Sequence, residues 1–265
     1  MNGALNGPVF ACEHITKCYL GEPVVRDISL ALERGGIISL LGPSGVGKTT
    51  LFNVLAGVDL PDEGRIFLEG ADITGLSGRV SYMMQKDLLM EYRSVLDNVI
   101  LPLLLRGEKK KRAREKAAAF FPRFGLGGCE KKYPRQLSGG MRQRAALLRT
   151  CVAHGLDGAR AGAAVILLDE PFSALDALTR ADMREWFLEI ARSLGLSAIC
   201  ITHDVDEAIT LSGSVYLLNG RPALLGRRFG IDGTDGAERA RIKNEILAAV
   251  REGQVTAPHH PAYYR

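Results

Sequence analysis

The stretch of sequence that decides the fold reads Gly42-Pro43-Ser44-Gly45-Val46-Gly47-Lys48-Thr49. Its pattern, G-x-x-x-x-G-K-[ST], is that of a phosphate-binding loop, which lies between a strand and a helix. The apolar run at residues 36–41 predicts the buried strand, and residues 49–56, closed by Gly57, predict the helix. The stretch therefore predicts an α/β fold that binds phosphate groups.

The residue types in this loop suit phosphate chemistry. Glycines let consecutive backbone N–H groups turn inward around a β-phosphate, beside the positive end of the following helix. The Lys48 ammonium can reach the β- and γ-phosphates, and the Thr49 hydroxyl can ligate Mg²⁺. A glycine turn without a ligand is the alternative, and the flanking strand and helix argue against it.

Two carboxylates follow a second apolar run. Residues 165–168 lead directly into Asp169 and Glu170, which places both at the C-terminal edge of a buried strand, where α/β folds bind ligands. Asp169 can then hold Mg²⁺, directly or through water, and Glu170 can orient or deprotonate the water that attacks a γ-phosphate. The phosphate loop gives this pair its meaning, because such carboxylates often only cap the next element.

The remaining patterns predict a three-layer α/β core. Runs that are apolar on both faces predict buried strands at residues 163–168, 197–202 and 215–218. Asp176 is predicted to cap a helix over residues 177–194 that stops at Gly195. Asn219-Gly220 predicts a tight hairpin turn into a strand at residues 222–225.

Outside that core, three kinds of segment are predicted. Alternating patterns at residues 24–30 and 64–70 predict an antiparallel β layer beside the core. Residues 86–136 are rich in helix formers and predict a helical insert. Residues 239–251 predict a further helix, and the tail from Gly253 is predicted to be flexible.

A specific resemblance is carried by Leu137-Ser138-Gly139-Gly140-Met141-Arg142-Gln143-Arg144. This string resembles the signature motif of ATP-binding cassette (ABC) ATPases. Gln85 resembles the family's Q-loop glutamine, Ser173-Ala174-Leu175-Asp176 its D-loop, and His203 its switch histidine, while Asp169-Glu170 resembles the Walker B pair. The motifs follow the family's order, and the resemblance covers about residues 10–226.

The resemblance implies a P-loop NTPase (RecA-like) three-layer core with an antiparallel β subdomain and a helical ABC-specific subdomain at about residues 86–140. Residues 10–226 would form the ABC ATPase domain, and residues 227–265 a short C-terminal helix and flexible tail. The implied cofactors are ATP and Mg²⁺, and the implied activity is ATP hydrolysis. A second copy of the chain would pack head to tail with the first.

The resemblance also implies roles for individual residues of this sequence. The catalytic residues would be Glu170, His203 and Gln85, and the metal ligands would be Thr49, Gln85 and Asp169. ATP would be held by Tyr19, which would stack on adenine, and by Gly42, Pro43, Ser44, Gly45, Val46, Gly47, Lys48, Thr49 and Thr50. The partner copy's ATP would be contacted by Ser138, Gly139, Gly140 and Gln143, with Asp176 in the D-loop.

The signature also makes physical sense as an anion site, because Ser138, Gly139 and Gly140 begin a predicted helix whose free N–H groups favour negative charge. Within the family, residues 169–176 resemble importer subunits. Residues 94–99 and 176–180 look most like the nitrate, sulfonate, taurine and pyrimidine-precursor importers.

Such a subunit would lie on the cytoplasmic face of the cell membrane as a peripheral protein. It would work with a polytopic permease and, indirectly, a solute-binding protein. The alternative is a non-transport ABC ATPase that acts as a mechanical switch on a soluble partner.

Composition agrees with a folded protein. The chain has 265 residues, of which 46% are hydrophobic and 24% charged. No apolar run approaches the ~18 residues of a transmembrane helix, and the first residues lack a secretory signal pattern, so export is not expected. Five scattered cysteines without a C-x-x-C pair are typical of reduced thiols. A net charge of +4 without a basic, aromatic-rich stripe does not favour nucleic acid as a partner.

Three local features stand apart from these motifs. The basic run at residues 109–112 fits either a solvated helix face or attraction to anionic lipid head groups. Residues 154–162 make the chain longer than the family norm, which we interpret as a lengthened loop. Pro122 lies in a segment that the family makes helical, so a helix should kink or stop there.

Overall fold

The computed structural model describes residues 7–154 and 165–255. The described chain forms a four-stranded and a six-stranded sheet with helices packed around them. The strands are β1 (Phe10–Tyr19), β2 (Glu22–Leu32), β3 (Ile37–Leu41), β4 (Glu63–Leu68), β5 (Ala71–Asp72), β6 (Ser81–Met83), β7 (Val165–Asp169), β8 (Ser197–Thr202), β9 (Ser214–Asn219) and β10 (Leu224–Gly230). The helices are α1 (Lys48–Leu55), α2 (Val95–Val99), α3 (Leu101–Leu105), α4 (Lys110–Ala118), α5 (Gly139–His154), α6 (Ala177–Leu194), α7 (Val205–Leu211) and α8 (Gly236–Val255).

The six-stranded sheet carries the phosphate loop. Its strand order is β10-β9-β3-β8-β7-β6, with β10 antiparallel to β9 and all other neighbours parallel. Strands β7 and β8 are buried along their whole length, as parallel strands covered on both faces must be. Because β3, β8 and β7 are neighbours, the loops that leave their C-terminal ends meet at one edge of the sheet.

Alternate residues of β7 face two different hydrophobic cores. Val165 and Leu167 pack toward α1 and the four-stranded sheet, whereas Ile166 and Leu168 pack toward the helices α2 to α6. A third cluster joins α7 and α8 to β3 and β9. Burial of one such aliphatic side chain contributes about 1.5–3 kcal/mol. The predicted three-layer α/β core is confirmed.

The four-stranded sheet has the order β2-β1-β4-β5 and is antiparallel. The two alternating segments predicted for this layer lie in β2 and β4, and β1 pairs with both. Sequence patterning did not delimit β1, because its register shifts between Cys12 and Ile15 and again near Lys17. Each shift interrupts the alternation of inward and outward side chains on which the prediction depends.

The prediction for the longest core helix is confirmed. Asp176 is the N-cap of α6, and its side chain accepts a hydrogen bond from the Thr179 N–H. Gly195 ends the helix in the left-handed conformation, with φ at 61°, where glycine avoids the steric cost of a Cβ.

The segment at residues 86–136 is helical only in part. Helices α2, α3 and α4 are short, and turns occupy most of residues 119–133. Helix α4 ends at Ala118, four residues before Pro122, in agreement with the predicted stop. The basic run is partly neutralised: Lys110 and Arg114 pair with Asp97, and Arg112 pairs with Glu108.

Two predictions about the C-terminal part are wrong in detail. Strands β9 and β10 pair from Asn219 and Leu224 onward, so the hairpin loop has four residues and Pro222 lies in the loop rather than in a strand. The reason is that the Ala223 N–H donates to the Val24 carbonyl of β2, outside the hairpin. Helix α8 runs to Val255, so residues 253–255 are helical rather than a tail.

Some predictions fall outside the described residues. They concern most of the lengthened loop at residues 154–162 and the tail beyond residue 255. All five cysteines are unpaired in the structure, and their reduced state stays a prediction. Among the described residues, no helix combines the length and the apolar character needed to cross a membrane.

Candidate active site

The phosphate loop is a tight connection between β3 and α1. A Cβ atom at Gly42 would lie 2.4 Å from the Leu218 carbonyl oxygen, so only glycine fits without movement of β9. Gly47 has φ at 107° and forms the N-cap of α1. The next residue, Lys48, donates from Nζ to the Gly42 carbonyl at 2.7 Å and the Pro43 carbonyl at 3.1 Å. The loop therefore encloses a buried ammonium group, as a site for a polyanion requires.

Asp169 ends β7 beside this loop. Its Oδ2 atom accepts hydrogen bonds from the Thr49 hydroxyl and the Tyr82 hydroxyl, each at 3.2 Å. Burial raises the pKa of Asp169 above its usual value of 3.8, although both hydroxyl groups oppose the rise. A buried carboxylate with only two hydroxyl donors is suited to act as a ligand for a cation.

Glu170 is the residue on which most of the predicted catalytic groups converge. Its Oε1 atom lies 3.4 Å from Lys48 Nζ, and its Oε2 atom lies 3.1 Å from His203 Nδ1. Gln85 Nε2 donates to the same Oε2 atom at 3.3 Å. The backbone of Glu170 is left-handed, with φ at 46°, a conformation that costs about 1–2 kcal/mol for a residue with a side chain. Its N–H donates to the Ile201 carbonyl of β8, which holds it there.

The residues around Asp169 fit a magnesium ion. Thr49 offers a hydroxyl oxygen and Asp169 a carboxylate oxygen within 3.2 Å of each other, at the end of the phosphate loop. Mg²⁺ prefers such oxygen donors and is usually held by one or two protein ligands together with substrate phosphates and water.

The signature lies at the start of α5. Ser138 directly precedes this helix and caps it, because the Ser138 Oγ atom accepts a hydrogen bond from the Met141 N–H at 3.3 Å. A Cβ atom at Gly140 would lie 3.3 Å from Thr179 on α6, so the two helix starts are in close contact. Gln143 is buried, and its Oε1 atom has no hydrogen-bond partner among the described residues.

The structure thus brings together one group of predicted residues and leaves others apart. The group that meets in one cluster is Lys48, Thr49, Gln85, Asp169, Glu170 and His203. Asp176 caps α6, next to the signature. Tyr19 is 44% exposed, its hydroxyl donates to Asp59 Oδ2 at 2.6 Å, and the Lys17 ammonium lies 5.3 Å from its ring centre.

Sequence reasoning missed Tyr82. Its ring packs edge-to-face on Phe52 of α1, with the ring centres 5.8 Å apart, and its hydroxyl reaches Asp169. Burial, with the adjacent Asp169 charge, raises the pKa of Tyr82 well above 10, so the hydroxyl stays a donor. The available signal was its place on β6, three residues before Gln85, but recognising it requires knowing that β6 lies beside β7.

Residues 25–173, more than half of the chain, match the protein family described as ABC transporter. This chain belongs to the ABC transporter family. As an ABC ATPase it is an ATP-binding, ATP-hydrolysing transporter subunit, and the P-loop NTPase fold expected from the resemblance is confirmed.

Curated relatives match this ABC ATPase over most of its length. It is 38% identical to the uncharacterized ABC transporter ATP-binding protein YtlC of Bacillus subtilis over 223 residues, 83% of each chain. It is 38% identical to the formylaminopyrimidine import ATP-binding protein ThiZ of Halalkalibacterium halodurans, over 76% of this chain and 75% of that protein. It is also 38% identical to the taurine import ATP-binding protein TauB of Escherichia coli K12, over 83% of each chain.

Solved structures show the same fold at lower identity. The ABC transporter cassette MJ1267 superposes with a TM-score of 0.77 at 20% identity, covering 93% of this ABC ATPase and 98% of that chain. The dimeric structure of the bacterial ABC transporter cassette MJ0796 gives a TM-score of 0.70 at 24% identity, covering 85% and 100%.

Proposed function

We propose that this ABC ATPase energises the import of a small solute through a separate membrane permease. The observation that carries the proposal is the convergence of Lys48, Gln85 and His203 on the Glu170 carboxylate, beside Asp169 and the phosphate loop. The direction of transport is inferred from relatives named as taurine and formylaminopyrimidine import proteins. The solute class would be nitrate, a sulfonate such as taurine, or a pyrimidine precursor.

In this proposal the phosphate loop and Tyr19 hold ATP. Residues 42–50 surround the phosphates, and Lys48 exchanges its two carbonyl partners for phosphate oxygens. The exposed Tyr19 ring stacks on adenine. Thr49, Asp169 and Gln85 would hold Mg²⁺, which when bound neutralises phosphate charge.

Glu170 is the proposed base that takes a proton from the attacking water. His203 and Gln85 orient this carboxylate, because both contact its Oε2 atom. Lys48 offsets its charge when ATP is absent. The strained backbone of Glu170 belongs in such a site, since strain persists only where the surroundings hold it.

The second half of each site would come from a second copy of the chain. Ser138, Gly139, Gly140 and Gln143 are proposed to contact the ATP held by the partner's phosphate loop, with Asp176 beside them. The exposed start of α5 supports this, because Ser138 and Gly139 reach solvent at a helix N-terminus, which favours an anion. ATP would then join two head-to-tail copies, and hydrolysis would release them.

Domain organisation follows from these roles. We propose residues 10–226 as the ABC ATPase domain, with a helical subdomain at about 86–140 that receives the permease near Gln85. Residues 227–265 would follow as a C-terminal extension, of which residues 227–230 still belong to β10 and pair with β9. The ABC ATPase would sit on the cytoplasmic face of the membrane, and a solute-binding protein would deliver cargo to the permease.

Two experiments test the proposal. Lys48→Ala should lose ATP binding, measured by titration with a fluorescent ATP analogue, and unchanged affinity would refute the role of this lysine. Co-expression with a candidate polytopic permease should yield a co-purifying complex and uptake of taurine or a related solute that requires Lys48. A chain that hydrolyses ATP but binds only a soluble partner would instead be a mechanical switch.

A further inference from the structure

One arginine on α6 contacts two loops that the proposed mechanism uses separately. Arg180 donates from Nη2 to the Leu175 carbonyl at 3.0 Å and from Nη1 to Asp204 Oδ2 at 3.1 Å. Leu175 belongs to the D-loop, residues 173–176, and Asp204 directly follows His203. A single planar guanidinium group therefore spans the D-loop and the segment that carries the switch histidine.

The geometry of arginine suits this bridge. Its nitrogen donors form a rigid planar fork, so two acceptors bound at once are held at a nearly constant separation. A lysine ammonium on a flexible stem can neutralise Asp204, but it cannot impose the same spacing between that carboxylate and the Leu175 carbonyl.

Asp204 is fixed relative to the segment that carries His203 by several hydrogen bonds. Its Oδ1 atom accepts the Glu207 N–H at 3.0 Å and thereby caps α7, and its own N–H donates to the Thr202 hydroxyl at 3.0 Å. Arg184 also donates to its Oδ2 atom, at 2.9 Å. Residues 202–207 are thus bonded as one unit, with His203 inside it.

The D-loop is attached at its other end to the backbone of Glu170. The Ser173 N–H and hydroxyl both donate to the Glu170 carbonyl, at 3.2 and 3.0 Å. His203 Nδ1 contacts the Glu170 side chain. Glu170, the D-loop, Arg180 and the 202–207 unit consequently form a closed ring of contacts.

We propose that Arg180 is a positioning residue that couples the D-loop to the His203 segment, so that the placement of the D-loop sets the distance between His203 and Glu170. The inference rests on the proposed function, because both loops are assigned roles in ATP hydrolysis there. Arg180 itself touches none of the reacting groups.

The test compares Arg180→Gln with the matched control Arg184→Gln. Both variants lose a donor to Asp204, but only the first loses the bond to the D-loop. We expect Arg180→Gln to lower kcat for ATP about tenfold with KM within about twofold, because the loss concerns positioning rather than ATP binding. Arg184→Gln should lower kcat clearly less than Arg180→Gln, because the bond to the D-loop remains. Arg180→Lys should give an intermediate kcat.

Hydrogen exchange supplies a readout that does not depend on turnover. Arg180→Gln should speed amide exchange in peptides covering residues 173–176 and 202–207, whereas Arg184→Gln should affect only the second. Equal kcat losses in the two glutamine variants, or unchanged D-loop exchange in Arg180→Gln, would overturn the coupling. Far-UV circular dichroism and thermal unfolding check that each variant folds. Absence of ATP hydrolysis by the wild-type chain would count against the proposed function instead, while exchange would still decide the coupling.

Discussion

Replacing Glu170 with glutamine should separate ATP binding from ATP hydrolysis. Glutamine has the size and backbone preferences of glutamate, so the left-handed conformation at this position costs the same in both proteins. Its side-chain oxygen can still accept the hydrogen bond from Gln85, and His203 remains within reach. The substitution therefore removes the basic carboxylate with little change in the surrounding packing.

The size of the effect follows from the role of the carboxylate. An amide oxygen cannot take a proton from water at neutral pH, so the contribution of the general base is lost. That contribution is typically about 10²- to 10⁴-fold in rate, which corresponds to about 2.7–5.5 kcal/mol in the activation barrier. We expect kcat for ATP to fall within this range.

ATP affinity should be retained or should rise. In the absence of nucleotide, Glu170 lies 3.4 Å from the buried Lys48 ammonium and competes with ATP phosphates for it. Removal of that carboxylate leaves Lys48 free for phosphate, with a gain of up to about tenfold in affinity if the buried pair is worth about 1.4 kcal/mol.

The assay measures phosphate release, binding of a fluorescent ATP analogue, and dimer formation by size exclusion with ATP present. Slow hydrolysis with intact binding should accumulate a dimer that wild type does not retain. Glu189→Gln, on the exposed face of α6, serves as the matched control and should hydrolyse ATP at the wild-type rate. Wild-type turnover by Glu170→Gln would refute the assignment of this base.

Three further outcomes are expected. Tyr82→Phe removes a hydroxyl donor to Asp169 and should raise the Mg²⁺ concentration for half-maximal ATP hydrolysis about tenfold, measured by titration, while unchanged Mg²⁺ dependence would contradict this. Gly42→Ala introduces a Cβ atom 2.4 Å from the Leu218 carbonyl oxygen and should lower the free energy of unfolding by about 1–3 kcal/mol, measured by thermal unfolding. The loss should be smaller for the control Gly45→Ala, whose Cβ would meet no atom within 4 Å although φ is 77°. For Asp87, burial raises the pKa, yet Arg142, the Leu89 N–H and Arg149 together outweigh burial and leave the pKa below 3.8. Ionised Asp87 therefore stabilises the fold at pH values above its pKa in the unfolded chain, and this contribution is lost as the pH falls through its pKa in the folded chain. The loss of unfolding free energy caused by Asp87→Asn should thus shrink below pH 3.8. A difference that stays constant down to pH 2 in denaturant titrations would contradict that reading.

Much of the core was predictable because its signals are local. The phosphate-loop pattern by itself predicts the strand before it and the helix after it. Asp176 and Gly195 mark the two ends of α6. The short strands β7 and β8 are apolar without interruption, which only a doubly covered sheet explains. What failed were the elements whose pairing is not periodic, such as the bulged β1 and the hairpin loop in which Ala223 pairs with β2.

The sequence by itself determined the family, the α/β fold and the identity of the candidate catalytic groups, because each motif is a short string whose chemistry depends on neighbouring residues. Only the tertiary structure decided how those groups meet. Gln85, Glu170 and His203 are far apart along the chain, and they come together because β6, β7 and β8 are adjacent parallel strands that end at the same edge. The same adjacency brings the Tyr82 hydroxyl to Asp169 and places Arg180 between two loops. Contacts between residues distant in sequence depend on strand order, which no local pattern encodes.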